Sequence, residues 1–167
     1  MSLANNKIIQ MHAVSALTNL SLLNLPNNEI ISIDGTSLSK CEYFIGLNCL
    51  TNLRWLNLSC NRIKYIENLE HNVNLKHLDL SENQIRSLGN LSKLVRLKTL
   101  LLHFNNISSL ESAPDYFPES IEILSLAGNT IKDFSEIFRL VNLKCLSQFS
   151  LRKNPCTNMM YLLNSPV

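Results

Sequence analysis

The sequence predicts an α/β solenoid: a right-handed, curved stack of about seven parallel strands, with short helices or 3₁₀ turns on the outer side. Three observations predict it. A fixed apolar frame, L-x-x-L-x-L-x-x-N-x-I-x-x-I, recurs along the chain. One asparagine falls at the same place in every copy. The copies follow one another in tandem, and one copy alone has nothing against which to bury its apolar face.

The frame is clearest at Leu53–Ile66, where Leu53, Leu56, Leu58, Ile63 and Ile66 surround Asn61. It recurs at Leu75–Leu88, Leu97–Leu110 and Ile121–Phe134, upstream at Leu20–Ile33, and partially at Leu146–Asn154. Leu-x-Leu is period-2 alternation, so the two leucines share one face of a short strand. Three residues later the chain must turn inward, where no ladder satisfies its peptide groups. A buried carboxamide supplies donors and an acceptor at that turn, bonding its own copy and the next. The asparagines are Asn6, Asn28, Asn61, Asn83, Asn105, Asn129 and Asn154, at steps of 22, 33, 22, 22, 24 and 25 residues.

Residues 1–11 read as a partial first repeat, with Met1, Leu3, Asn6, Ile8 and Met11 in frame. Residues 12–153 hold five to six repeats, with a longer insertion near 34–46. There Ser39 and Glu42 read as a capping box, and Cys41, Phe44, Leu47 and Leu50 recur at three-residue steps, predicting a longer outer helix. Asn72 takes a slot that is leucine in neighbouring copies, so Val73 is expected to fill that position. Residues 111–120 carry two prolines and predict an extended or turn-like link. Residues 135–145 predict a helix, with Ile137, Leu140 and Leu143 at three-residue steps.

The frame resembles the leucine-rich repeat over nearly the whole chain. Its step of 22 is similar to the intracellular class found in phosphatase-1 regulatory subunit 7, axonemal dynein light chain 1 and centriolin. The resemblance implies a concave parallel sheet and a convex side of short turns. Asn154-Pro155, Tyr161 and Pro166 resemble that class's C-terminal cap, which would make residues 154–167 an incomplete cap. Together with the mid-repeat start, this leads us to expect one domain over 1–167 that is a fragment of a longer protein. Self-association through uncapped ends would then be expected.

The bulk numbers exclude several classes. Fifteen Lys and Arg against 13 Asp and Glu give a net charge of +2, no argument for nucleic acid or an anionic membrane. No apolar run is long enough to span a bilayer. Five cysteines, Cys41, Cys49, Cys60, Cys145 and Cys156, make an odd count without metal-ligand spacing, so a reduced, cytoplasmic setting is expected. Four N-x-S sequons, at Asn19, Asn57, Asn90 and Asn106, follow from repeats rich in Asn, Leu and Ser rather than from secretion. No P-loop, nucleophile elbow, H-E-x-x-H or dinucleotide fingerprint is present. His77 and His103 fall in open-face slots of neighbouring copies, within reach of one another. With Asp79 they lack a nucleophile. No enzyme activity, cofactor or metal is expected.

The functional signal lies in the residues between the leucines. One column reads Leu22, Trp55, His77, Thr99, Ile123, Gln148; the next, Ser2, Asn24, Asn57, Asp79, Leu101, Ser125, Ser150; a third, Ala4, Pro26, Ser59, Ser81, His103, Ala127, Arg152. Glu82 and Phe104 stand just before ladder asparagines. Trp55, His77, Asp79, Glu82, Leu101, His103, Phe104 and Arg152 are the candidate partner-binding residues, with Trp55, His77, Leu101, His103 and Phe104 forming an aromatic and apolar patch. The expected function is recognition of another protein by the concave face, as a scaffold or regulatory subunit. The alternatives are an RNA-associated module, because a spliceosomal protein shares this repeat type, or an inert structural spacer. Centrosomal or ciliary placement is what the resemblance implies.

Overall fold

The computed structural model describes residues 1–11, 14, 16–33 and 47–158. Six three-residue strands follow in chain order: β1 (Leu22–Asn24), β2 (Trp55–Asn57), β3 (His77–Asp79), β4 (Thr99–Leu101), β5 (Ile123–Ser125) and β6 (Gln148–Ser150). They form one sheet in the order β1-β2-β3-β4-β5-β6, each neighbour parallel. An isolated parallel bridge between Ser2 and Asn24 adds a rung from the partial first copy. Ladder bonds continue past the strands, as in Leu58 N–H to Asp79 O at 2.8 Å and Cys60 N–H to Ser81 O at 2.9 Å. Parallel neighbours need a crossover, and here each crossover is one turn of a solenoid.

The frame leucines and isoleucines make one continuous core. Leu53, Leu56, Leu58, Ile63 and Ile66 are buried in it, and the equivalent residues of the next two copies join them, whereas Phe134, which ends the frame of the copy after those, is exposed. The first five strands bury their middle residues: Leu23, Leu56, Leu78, Leu100 and Leu124 lie inside. Phe149, in register with Leu124, is partly exposed on the edge strand β6. Gly89 lets two outer turns close up: a Cβ there would lie 2.0 Å from the Ile66 carbonyl oxygen.

The asparagines stitch the copies together. Asn83 Nδ2 donates to the carbonyls of Leu58 at 2.9 Å, Leu80 at 3.1 Å and Ser81 at 3.0 Å. Its Oδ1 accepts from Ile63 N–H at 3.0 Å. The same bonds to an isoleucine N–H are made by Asn28, Asn61, Asn105, Asn129 and Asn154. Each carboxamide therefore bonds its own copy and the preceding one, not the next: the turn carries the side chain back over the copy already laid down. Asn6 is exposed, and its amide donates to Leu3 O and Ala4 O in its own turn.

The outer side differs from expectation in three places. Residues 113–116 form a short α-helix, α1 (Ala113–Tyr116), rather than an extended link. Pro114 sits in its first turn, where a missing N–H costs nothing, and Pro118 lies beyond its end. The segment predicted helical over 135–145 is a 3₁₀ helix at Phe134–Leu140, N-capped by Asp133, whose carboxylate accepts from Ser135 N–H. Asn72 itself fills the slot assigned to Val73. It is fully buried and donates to Leu47 O at 2.9 Å and Leu50 O at 3.0 Å, while Val73 is 43 % exposed. Those carbonyls cap the 3₁₀ turn at Leu47–Cys49, so a donor suits the position better than a methyl group. Ser39, Cys41, Glu42 and Phe44, with the helix expected of them, lie outside the described residues, as do Tyr161 and Pro166. Asn154 and Pro155 open a 3₁₀ turn at Pro155–Thr157.

Candidate protein-binding face

The parallel register brings the in-between residues into rows. Leu22, Trp55, His77, Thr99, Ile123 and Gln148 face one another across the sheet. Adjacent strands lie about 4.8 Å apart, so two flat rings in register on one face must stack. Trp55 and His77 do so, with ring centroids 5.0 Å apart and planes 7° from parallel. Both are half-buried, outside the core, on strands whose central leucines point the other way. Burial of the imidazole against the indole pushes the His77 pKa down from its ordinary value; the nearby Asp79 carboxylate opposes this. At neutral pH the stack is uncharged.

Asp79 is held by its own turn. Its Oδ1 accepts from Ser81 N–H at 3.0 Å and from Ser81 Oγ at 2.6 Å. Asn57 makes the equivalent bond to Ser59 N–H at 2.8 Å in the copy before. The register sets Leu101 beside Asp79, half-buried.

A second cluster lies where the strands end. Every residue before a ladder asparagine has a left-handed backbone: Asn5, Asn27, Cys60, Glu82, Phe104, Gly128 and Lys153 have φ between 54° and 66°. Side chains in that conformation are costly one by one, and the carboxamide bonds on either side enforce it. The row has its own cross-copy contacts. Asn27 Nδ2 donates to Asn5 Oδ1 at 3.0 Å. The Cys60 thiol meets the Glu82 carboxylate; burial and that hydrogen bond push its pKa up. The Phe104 ring lies across Gly128, where a Cβ would come within 2.4 Å of Cδ1. Lys153 Nζ sits 5.3 Å from the Phe104 ring centroid, a cation over an aromatic face. His103 meets Phe104 edge-on at 5.7 Å, and Phe104 remains 46 % exposed.

The eight candidate residues thus fall into two groups. Trp55, His77, Asp79 and Leu101 share β2–β4; His103, Phe104, Glu82 and Arg152 belong to the strand-end region. Among the described residues no ring contact joins the two groups. His77 faces Thr99 rather than His103, which stands four residues further along, roughly 13 Å at the rise of a strand. The two histidines do not meet, and among the described residues no group of His, Cys, Asp or Glu is placed to hold a metal. Sequence reasoning missed Lys153, Gly128 and Cys60. Their signal was available as the position before each ladder asparagine, which two other candidates already occupied.

A family model described as leucine-rich repeat matches residues 40–163. The chain belongs to the leucine-rich repeat family. Its sheet is the concave face of a leucine-rich repeat solenoid, and the Trp55–His77 stack lies on that face. It is similar to human Centrosomal protein of 97 kDa, 51 % identical over 47 residues, covering 28 % of this chain and 5 % of that protein. It is also similar to Tubulin-folding cofactor E of Arabidopsis thaliana, 31 % identical over 149 residues, covering 84 % of this chain and 28 % of that one. The chain therefore spans only a small part of these relatives. Among solved structures it resembles the TLR13 chain of a TLR13–ssRNA13 complex, with a TM-score of 0.73 and 31 % identity over 90 % of this chain and 21 % of that one. An internalin, inlF, from Listeria monocytogenes matches with a TM-score of 0.66 and 28 % identity, over 98 % and 50 % of the two chains.

Proposed function

We propose that this leucine-rich repeat domain recognises another protein through its concave face, with Trp55 and His77 at the centre of the contact, in a scaffold or regulatory role. The observation that carries the reading is the position of the indole. The chain's one tryptophan stands outside the hydrophobic core, stacked and half in water. A rigid aromatic pair of this kind offers large contact area at small entropic cost, and such residues dominate binding energy at interfaces. Leu101 extends the apolar centre, while Asp79, Glu82, His103, Phe104 and Arg152 supply a polar and aromatic surround.

The relatives support a setting for the partner. We infer a cytoplasmic protein of the centrosome or of tubulin handling, on the likeness to Centrosomal protein of 97 kDa and Tubulin-folding cofactor E. The likeness to TLR13 in its complex with ssRNA favours a second reading, RNA contact. Charge opposes it: in the three concave columns the fixed charges are Asp79 and Arg152 alone. Phosphate contacts need several cations along the path of the strand.

An interaction screen comparing wild type with Trp55→Ala tests the proposal. Partners lost with the indole support it; an identical set sinks it and leaves the domain as an inert spacer. A parallel titration against a generic RNA oligonucleotide at rising salt is expected to give no steep slope.

A further inference from the structure

Outside the concave face, the segments after the ladder asparagines lie side by side in successive copies. They are fixed by backbone bonds: Arg62 N–H to Ile30 O at 2.9 Å, Gln84 N–H to Ile63 O at 2.9 Å and Asn106 N–H to Ile85 O at 2.8 Å. A cavity of about 330 Å³ opens on this rigid floor, lined by Lys64, Tyr65, Gln84, Arg86 and Asn106. Among the described residues its wall holds two cations, a phenol and two carboxamides, and no carboxylate.

The two cations occupy the same slot of adjacent copies, each three residues after its asparagine. Like charges on neighbouring parallel segments repel, so neutralisation would be expected from nearby acids. Neither Glu29 nor Glu67 forms an ion pair with Lys64 or Arg86. Glu29 pairs with Arg62 at 3.3 Å, and Glu67 accepts from Ser32 Oγ at 3.1 Å. Among the described residues the ion pairs are Arg62–Glu29, His71–Glu70, Lys98–Glu122 and Arg139–Glu136, and neither Lys64 nor Arg86 is in one.

We propose that this cavity takes a phosphate monoester carried on a serine or threonine side chain of a partner protein. A dianion matches two cations, whereas a carboxylate would leave one unneutralised. Arginine presents a planar fork to two phosphate oxygens and lysine a point charge to the third. The amides of Gln84 and Asn106 and the Tyr65 hydroxyl are further donors. The volume stands at the lower end of small-ligand pockets and exceeds that of a bare phosphate, leaving room for the side chain that bears it. This site uses the residues after the asparagines rather than those between the leucines, so it stands or falls apart from the concave-face reading.

The test is an NMR titration of the whole chain with a short phosphoserine peptide, its unphosphorylated form, inorganic phosphate and adenosine monophosphate. The phosphopeptide is expected to shift the Lys64, Tyr65 and Arg86 resonances saturably and to bind more tightly than inorganic phosphate or the nucleotide. Arg86→Gln and Lys64→Gln should each weaken it about tenfold. Lys132→Gln, in the same slot of a copy not lining the cavity, should leave it unchanged. If Arg86→Gln melts below the working temperature, Lys64→Gln carries the comparison. Tighter binding of the nucleotide overturns the assignment to a protein side chain. Equal loss in Lys132→Gln, or no saturable shift at the cavity, overturns the site itself.

Discussion

The indole of Trp55 lies flat on the imidazole of His77, 5.0 Å between centroids and 7° between planes, on the sheet face opposite the core. The contact makes the chain's pH response legible. Burial lowers the His77 pKa in the folded state from its ordinary 6.5. A depressed histidine binds more protons unfolded than folded once the pH drops below 6.5, so its stability contribution is present above that value. It is lost as pH falls through the folded-state pKa. Urea denaturation between neutral and mildly acidic pH should show wild type losing stability over this window, and His77→Gln losing less.

Asn83→Leu should be among the most damaging single changes. It strips donors from Leu58, Leu80 and Ser81 carbonyls and an acceptor from Ile63 N–H. The Leu58, Leu80 and Ser81 carbonyls keep one donor each, from Asn61, Asn105 and Cys60 N–H, so the buried Ile63 N–H alone is left unsatisfied. At about 1–3 kcal/mol for that group and about 0.5–1.5 kcal/mol for each further bond lost, the total is a large share of the stability of a domain this size. Asn6→Leu, at an exposed turn, should cost under about 1 kcal/mol by the same scale. Chemical denaturation followed by circular dichroism separates the two.

Asn72→Leu should be milder than Asn83→Leu although Asn72 is more deeply buried. Among the described residues its Oδ1 is buried without a hydrogen-bond partner, and the Leu47 and Leu50 carbonyls each keep a backbone donor, from Leu50 N–H and Leu53 N–H, so the substitution orphans neither and removes one unsatisfied atom. A net cost below about 2 kcal/mol follows. A cost equal to that of Asn83→Leu would show that the carbonyl bonds dominate.

Gly128→Ala meets two obstacles: a backbone at φ +66° and the Phe104 ring within 2.4 Å of the new methyl group. The backbone alone accounts for about 1–2 kcal/mol. Adding Phe104→Ala should recover the steric part and leave the backbone part. A double-mutant cycle of melting midpoints measures the coupling.

The repeated strands were legible because Leu-x-Leu alternation fixes both the burial of Leu56, Leu78 and Leu100 and the outward setting of Trp55 and His77. Period and register carry that information locally. The outer turns were less legible, because several backbones satisfy the same spacing. Pro114 argues against a helix interior but suits a first turn, and only the core contact of Ala113 and Phe117 decides between them. Asn72 reads as a misplaced polar residue until Leu47 and Leu50 carbonyls stand beside it. The direction of the asparagine bonds, back to the preceding copy, depends on how the turn carries the side chain, which spacing does not encode. The patch drawn as one surface is two groups, since residues four apart on neighbouring strands share a face without touching.

Recognition through the concave face requires that a partner cover Trp55. The chain has a single tryptophan, so biosynthetic 5-fluorotryptophan gives one ¹⁹F resonance that reports only this site. Titrating a partner recovered from the screen should shift that resonance and remove its sensitivity to solvent deuteration, and Trp55→Ala should weaken the complex by about 2 kcal/mol or more with an unchanged melting midpoint. An unmoved resonance in a sample where size-exclusion chromatography shows the complex formed would contradict recognition through the concave face.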